Sequence, residues 1–236
     1  SLISKLLIIA AIALFAVFAV LELRVKSPVV NLRLFRSNKN YTFSNFAALL
    51  NYAATFGLTY LMSTYLQTVK GFDAGIAGII LICQPVVMAI VSPPMGRLSD
   101  KHSPYLFATV GMFICAASIA LFCFVGVDTP LIVIIAGLLL MGLGVGIFST
   151  PNNRAVMMNV EAKDNGVASS VLNTMRSVGQ SSSLAIITLV SALNLGQQTF
   201  ANATPDAFVA AIRVCFIVFL VLSVCAIVLS LQRKAK

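Results

Sequence analysis

The sequence predicts an all-α polytopic membrane protein with seven transmembrane helices, and three observations carry that reading. Of 236 residues, 59% are hydrophobic and 10% charged, against roughly a quarter charged in an ordinary soluble domain. Apolar runs of about 20 residues, enough helix to cross roughly 30 Å of hydrocarbon, recur seven times. Proline, glycine and charged residues collect between the runs. With a mean hydropathy of +0.99, this pattern excludes a soluble enzyme, a disordered tail and a disulfide-stapled secreted domain. A β-barrel would instead alternate in segments of about ten residues.

The first run, Leu2 to Leu21, is followed by the longest polar stretch, Glu22 to Asn40. Six further runs follow: Tyr41 to Leu66, Ala74 to Met95, Tyr105 to Gly126, Pro130 to Thr150, Gly166 to Leu193 and Ala207 to Leu231. Helices are expected to break at Ser27-Pro28, Lys70-Gly71, Ser92-Pro93-Pro94, Asp128-Thr129-Pro130, Pro151-Asn152-Asn153 and Thr204-Pro205. Pro85, after Gln84, is expected to kink the third span. In the fifth, Gly142 and Gly146 form a G-x-x-x-G pair that lets another helix approach closely, and the span is expected to stop at Pro151.

The net charge of +9 would suggest nucleic acid in a soluble chain, but here the basic residues sit in short loops and set topology. Arg24, Lys26, Arg33, Arg36, Lys39, Arg97, Lys101, Arg154, Lys163, Arg233, Lys234 and Lys236 fall on one side, and only Lys5 and Lys70 on the other. The positive-inside rule makes the richer side cytoplasmic, with Ser1 outside and Lys236 inside. Tyr41 and Tyr105 then begin spans at the inner interface, and Tyr60 and Tyr65 approach the outer one. An odd span count, an outside N-terminus and a first residue other than Met predict a piece of a longer polypeptide. A signal peptide over Leu2 to Leu21 lacks a small-residue cleavage site before the basic stretch.

Enzyme chemistry has no visible seat. The five cysteines, Cys83, Cys115, Cys123, Cys215 and Cys225, all fall inside spans without a C-x-x-C, as small core residues do. The one histidine, His102, lies beside Asp100, too few ligands for a metal site, so neither metal nor cofactor is expected. Gly142, Gly144 and Gly146 follow no strand and do not complete a dinucleotide fingerprint. Asn40-Tyr41-Thr42 and Asn202-Ala203-Thr204 match the glycosylation pattern by chance.

Polar side chains at membrane depth are informative, because they are costly unless they face protein or water. In the second span Ser44, Asn51, Thr55, Thr59 and Ser63 recur seven, four, four and four residues apart, flanked by Asn45 and Tyr52. That spacing predicts one polar helix face, either interhelical contact or the lining of a substrate path. In the sixth span Ser169, Asn173, Arg176, Gln180 and Ser183 follow at four, three, four and three. They place an arginine roughly 15 Å into the helix. Such an arginine faces a cavity or a partner, or else snorkels to the interface. No Asp or Glu lies well inside a span.

Gly96-Arg97-Leu98-Ser99-Asp100-Lys101 resembles the G-x-L-x-D-R/K loop of the major facilitator superfamily, and it joins the second and third spans of the six-span group as that loop does in each half. Tyr65-Leu66-Gln67-x-Val69-x-Gly71, Ala77-Gly78, Gly144-x-Gly146 with Pro151-Asn152-Asn153, and Ala168-Ser169 through Asn173-Thr174-x-Arg176-x-x-Gly179-Gln180 extend the likeness over about Pro28 to Leu231. Together they are similar to the C-terminal half of the fourteen-span drug:proton antiporters of the EmrB/QacA type. Departures are Ser103-Pro104, where a glycine is usual, and Arg154, where a small residue is usual.

The resemblance implies a linker transmembrane helix over 1–27, a cytoplasmic basic loop over 28–40, and over 41–236 a six-helix half built from two inverted three-helix repeats. It implies alternating access and proton-coupled efflux of small amphipathic substrates, bound near the midplane of the cytoplasmic membrane between this half and an N-terminal half. The substrate path would hold Asn45, Asn51, Tyr52, Thr55, Thr59, Asn173, Arg176 and Gln180. Gly96, Arg97, Asp100 and Lys101 would form a cytoplasmic gating loop, and Pro85, Gly142, Gly146 and Pro151 would serve packing or hinge motion. Protons, the lipid bilayer and the other half are the expected partners, and nucleic acid is not one. A facilitator of a specific metabolite or peptide, and a nontransporting scaffold half, remain open at the level of sequence.

Overall fold

The fold is seen in a computed structural model, which describes residue 35 and residues 38–195 and 204–233. The first span and most of the basic stretch after it lie outside these residues. Seven α-helices are described: α1 Lys39–Thr68, α2 Ala74–Leu81, α3 Cys83–Lys101, α4 Pro104–Phe122, α5 Leu131–Met157, α6 Asn165–Leu195 and α7 Pro205–Leu231, with a short 3-10 turn at Ala162–Asp164. By length and composition five units can cross a membrane: α2 with α3, α4, α5, α6 and α7. At 30 residues α1 is as long, but its Asn, Thr, Ser and Tyr side chains make it less apolar than those five.

Local chemistry starts and stops these helices. The Asn38 side chain caps α1 by accepting from Tyr41 N–H, and Asp73 caps α2 by accepting from Gly75 and Ile76 N–H. Pro104 and Pro205 open α4 and α7 in the first turn, where a missing N–H costs nothing. After α1, Gly71 at φ 69 takes a left-handed conformation, and Phe72 N–H turns back to the Leu66 carbonyl at 3.0 Å. The third span does break near Pro85. Its two helices meet at Ile82, three residues earlier, where the proline ring disfavours the preceding turn.

Two boundaries expected from proline are not breaks. Helix α3 runs through Pro93 and Pro94, so Gly96, Arg97, Asp100 and Lys101 form its last turns rather than a loop. Helix α5 likewise runs through Pro151 to Met157. A proline fixes φ near the helical value and deletes one donor, and contact on both sides holds these helices to their course. A Cβ on Gly146 would sit 3.0 Å from Val91 Cβ, and one on Gly96 would sit 3.2 Å from Thr150 Cγ2.

The packing of the six spans is reciprocal. Helix α1 packs chiefly on α6 and α7, and α5 packs chiefly on α4 and α3. The first span of each three therefore inserts among the later spans of the other three, and the two third spans, α4 and α7, meet each other. Two inverted repeats that interlock in this way give such a pattern. Of their most apolar eighteen residues, only 6% are buried in the α2–α3 span and 22% in α6, against 56% in α4 and 50% in α5. The second spans are thus the flanks of the unit.

Two apolar clusters fill the interior. One gathers Leu58, Leu61, Tyr65, Ile119, Ile134, Leu138, Phe208 and Ile212, with Phe122 stacked on Phe216 at 5.6 Å. The other holds Ala47, Ala48, Ala108, Met112, Phe148, Val171 and Leu172. Here alanine and glycine let backbones touch, the mode of packing that works where lipid is as apolar as the core. Gly144 of α5 faces Gly111 of α4, and a Cβ on Gly111 would meet Phe148 N at 2.6 Å. Gly142 faces the other neighbour, where a Cβ would lie 2.4 Å from the Gln84 carbonyl oxygen of α3.

Candidate functional site

The polar residues of α1 divide between two directions. At roughly 100° per residue, a repeat of four drifts by about 40° at each step. Ser44, Asn51 and Thr55 therefore point one way, whereas Tyr52, Thr59 and Ser63 have turned well round the helix. Ser44, Asn45 and Asn51 are wholly buried and Thr55 is 4% exposed. Tyr52 is half-buried and Thr59 exposed. The single face read from the sequence is thus corrected to a buried stripe and an open one. Asn45 donates to the Tyr41 carbonyl at 3.0 Å and Thr55 to the Asn51 carbonyl at 2.8 Å. Both amide atoms of Asn51 lack hydrogen-bond partners.

Helix α6 closes on α1 at a glycine. A Cβ on Gly179 would lie 2.4 Å from the Leu49 carbonyl oxygen. Two turns away the Gly57 N–H donates to Ser183 Oγ at 2.8 Å. This contact sets Arg176 over the Tyr52 ring, with the guanidinium carbon 4.9 Å from the ring centroid, a cation–π pair worth about 0.5–2 kcal/mol. Phe148 of α5 meets the same ring edge-on at 6.0 Å. Arg176 is half-buried with no partner on its Nε. Gln180 is half-buried and Asn173 exposed on the same side of α6. Across α1, Thr59 donates to Gln84 Oε1 of α3 at 3.1 Å.

The structure thus sets Arg176 on Tyr52 with Gln180 one turn along α6, pairs Thr59 with Gln84 of α3, and leaves Asn45, Asn51 and Thr55 inside the bundle. The arrangement offers a cation, an aromatic ring and amide groups at mid-helix depth. Among the described residues every Asp and Glu lies at a helix end or between helices.

At the basic-rich end, Asp100 of α3 forms an ion pair with Arg154 of α5. The arginine that departs from the family pattern therefore has a partner, and the pair ties the two helix ends together. Both side chains are substantially exposed, so the bond is worth up to about 1 kcal/mol. Arg97 and Lys101 are exposed. Glu161, held below the usual carboxylate range by Lys163 hydrogen-bonded to it, makes a second pair at 2.6 Å.

Sequence reasoning missed a buried cluster at the same end. Arg233, counted there among the loop charges, is only 6% exposed. Its guanidinium donates to Asn152 Oδ1 of α5 at 2.9 Å, to Ser44 Oγ of α1 at 3.4 Å, and to Ser230 and Thr109 Oγ. It also stacks 5.5 Å from the Tyr105 ring of α4. Burial pulls this guanidinium down to about 10, so it is charged at neutral pH. The opposite end has a counterpart, where Tyr65, Lys70 and Arg213 donate to the carbonyls of Gly126, Val127 and Val125 after α4. No sequence spacing connects residues so far apart in the chain.

A model of the Major Facilitator Superfamily matches residues 4–184 and, in a second alignment, residues 46–235. The riboflavin transporter RibZ of Clostridioides difficile is 29% identical over 170 residues, 72% of this chain and 37% of the relative. The multidrug resistance protein Stp of Mycobacterium tuberculosis is 27% identical over 194 residues, 81% of this chain and 36% of the relative. The quinolone resistance protein NorB of Staphylococcus aureus is 30% identical over 189 residues, 78% of this chain and 40% of the relative. The chain spans less than half the length of these curated relatives.

Proposed function

Because the chain belongs to the major facilitator superfamily, a family of membrane transporters, we propose that it is the C-terminal half of a proton-coupled multidrug efflux antiporter. Substrate binds between the open face of α1 and α6 and an N-terminal half, and the two halves rock to expose it to one side at a time. The observation that carries this reading is the Tyr52–Arg176 pair with Gln180 and Thr59, a polar group at a depth where lipid does not tolerate it. Multidrug and quinolone resistance proteins among the relatives support the substrate class. Since the described carboxylates all lie at helix ends or between helices, this reading assigns the acidic proton carriers to the other half. The basic-rich helix ends face the cytoplasm of a cell membrane.

Arg176→Ala in the full-length transporter is the direct test. Export is expected to fall to background while membrane insertion and abundance are retained; unchanged export removes Arg176 from the mechanism. A second reading, a facilitator of one metabolite, is favoured by the riboflavin transporter among the relatives. It predicts a narrow substrate range, whereas the efflux reading predicts export of several unrelated amphipathic compounds.

A further inference from the structure

A cavity of about 550 Å³ opens among the helix ends at the basic-rich side, bounded by the start of α1, the end of α3, the start of α4, the end of α5 and the turn after it. That volume lies within the range of small-ligand sites. Its wall carries two carboxylates, Asp100 and Glu161, and two cations, Lys101 and Arg154, and both carboxylates are already paired. Asp100 is taken by Arg154, and Glu161 is taken by Lys163. Lys101, also on the wall, is left without a carboxylate partner among the described residues. Arg154 keeps a buried Nε with no hydrogen-bond partner. Behind the wall, across the Tyr105 ring, lies the buried guanidinium of Arg233, whose partners are all uncharged.

The neutral groups on the wall also suit an anion. Helix α4 begins here, with Ser103, Pro104 and Tyr105 lining the cavity. The Ser103 side chain makes no capping bond, so the positive end of the helix dipole is directed to whatever occupies the space. His102 adds a ring N–H donor on the same wall.

We propose that this cavity binds a phosphate group, that of an anionic phospholipid headgroup or a free phosphate, with Lys101, His102 and the start of α4 as its holders. Helix ends and a Tyr place the cavity at the membrane–water boundary, where headgroup phosphates lie and where basic pockets between helices collect anionic lipid. Occupancy sets a second anion beside the Asp100–Arg154 pair. A bound phosphate therefore competes with Asp100 for Arg154 and loosens the tie between the ends of α3 and α5.

The test uses the full-length transporter purified in neutral detergent with equal amounts of phosphatidylglycerol and phosphatidylcholine, and reads retained lipid by native mass spectrometry. Retention of phosphatidylglycerol about tenfold over phosphatidylcholine is expected. Lys101→Gln with His102→Gln should abolish that preference, and Lys70→Gln, at the opposite end of the bundle, should keep it. Lys101 and His102 are exposed, and Lys101→Gln alone repeats the reading should the double variant be unstable. A parallel titration with sodium phosphate at fixed ionic strength, followed by thermal melting, identifies the source. Stabilisation by phosphatidylglycerol alone assigns the lipid headgroup, and stabilisation by phosphate as well assigns a soluble phosphate. Equal retention of both lipids with no phosphate effect, or wild-type preference in the double variant, overturns the proposal. None of these readings involves export, so a failure of the transport assignment is seen separately.

Discussion

Arg233 and Asn51 are two buried polar residues with opposite consequences. The Arg233 fork reaches Ser44, Asn152 and Thr109 together. A lysine ammonium at the end of a flexible stem does not reproduce that planar geometry. Arg233→Lys is therefore expected to lower stability by about 1–3 kcal/mol, because it strands buried acceptors, and a lower thermal midpoint of the purified protein would register it. Since burial lowers the Arg233 pKa to about 10, its desolvation cost is present throughout the neutral range and is relieved only above that pH. Asn51 is wholly buried, and neither amide atom has a partner. Asn51→Leu, of similar size and apolar, is expected to raise stability by about 1–3 kcal/mol. A lower midpoint for that variant would mean that the amide is bonded to something in the assembled transporter.

At the scale of the helix, contact between α1 and α6 decides where Arg176 stands. A methyl at Gly179 would run into the Leu49 backbone carbonyl at 2.4 Å, which moves only if a helix moves. A methyl at Gly57 would meet the ends of the Ser183, Ile187 and Phe219 side chains at 2.6–2.9 Å, which yield by rotation. Gly179→Ala is thus expected to cost about 1–3 kcal/mol and to impair export by shifting Arg176 off Tyr52. Gly57→Ala should cost less, and comparing thermal midpoints and export rates of the two variants checks the order. Helix existence was legible from apolar run length, and the break near Pro85 from its residue type. The continuation of α3 through Pro93-Pro94 and of α5 through Pro151 was not, because the contacts that hold those helices come from Val91 and Thr150 on neighbouring spans. The α1 stripe misled for a different reason: counting by fours follows a helix face for one or two turns and then drifts off it.

Taken whole, the six spans form a unit in which each three-span repeat locks the first helix of the other. The family, the helical grouping and the mid-helix position of Arg176 were all legible in the sequence. The ring under Arg176, the buried Arg233 cluster and the Gly111–Gly144 contact were not, since each joins positions that only tertiary packing brings together. The central claim is that the open face of α1 and α6, and not the buried stripe of α1, borders the transport path. Single cysteines introduced as Thr59→Cys, Gln180→Cys and Asn51→Cys in the full-length transporter, reacted with a water-soluble maleimide in membrane vesicles, test it most directly. The account predicts labelling of the first two, slowed several-fold by an exported drug, and no labelling of the third. Labelling of Asn51→Cys alone, or labelling of Thr59→Cys and Gln180→Cys indifferent to drug, would contradict it.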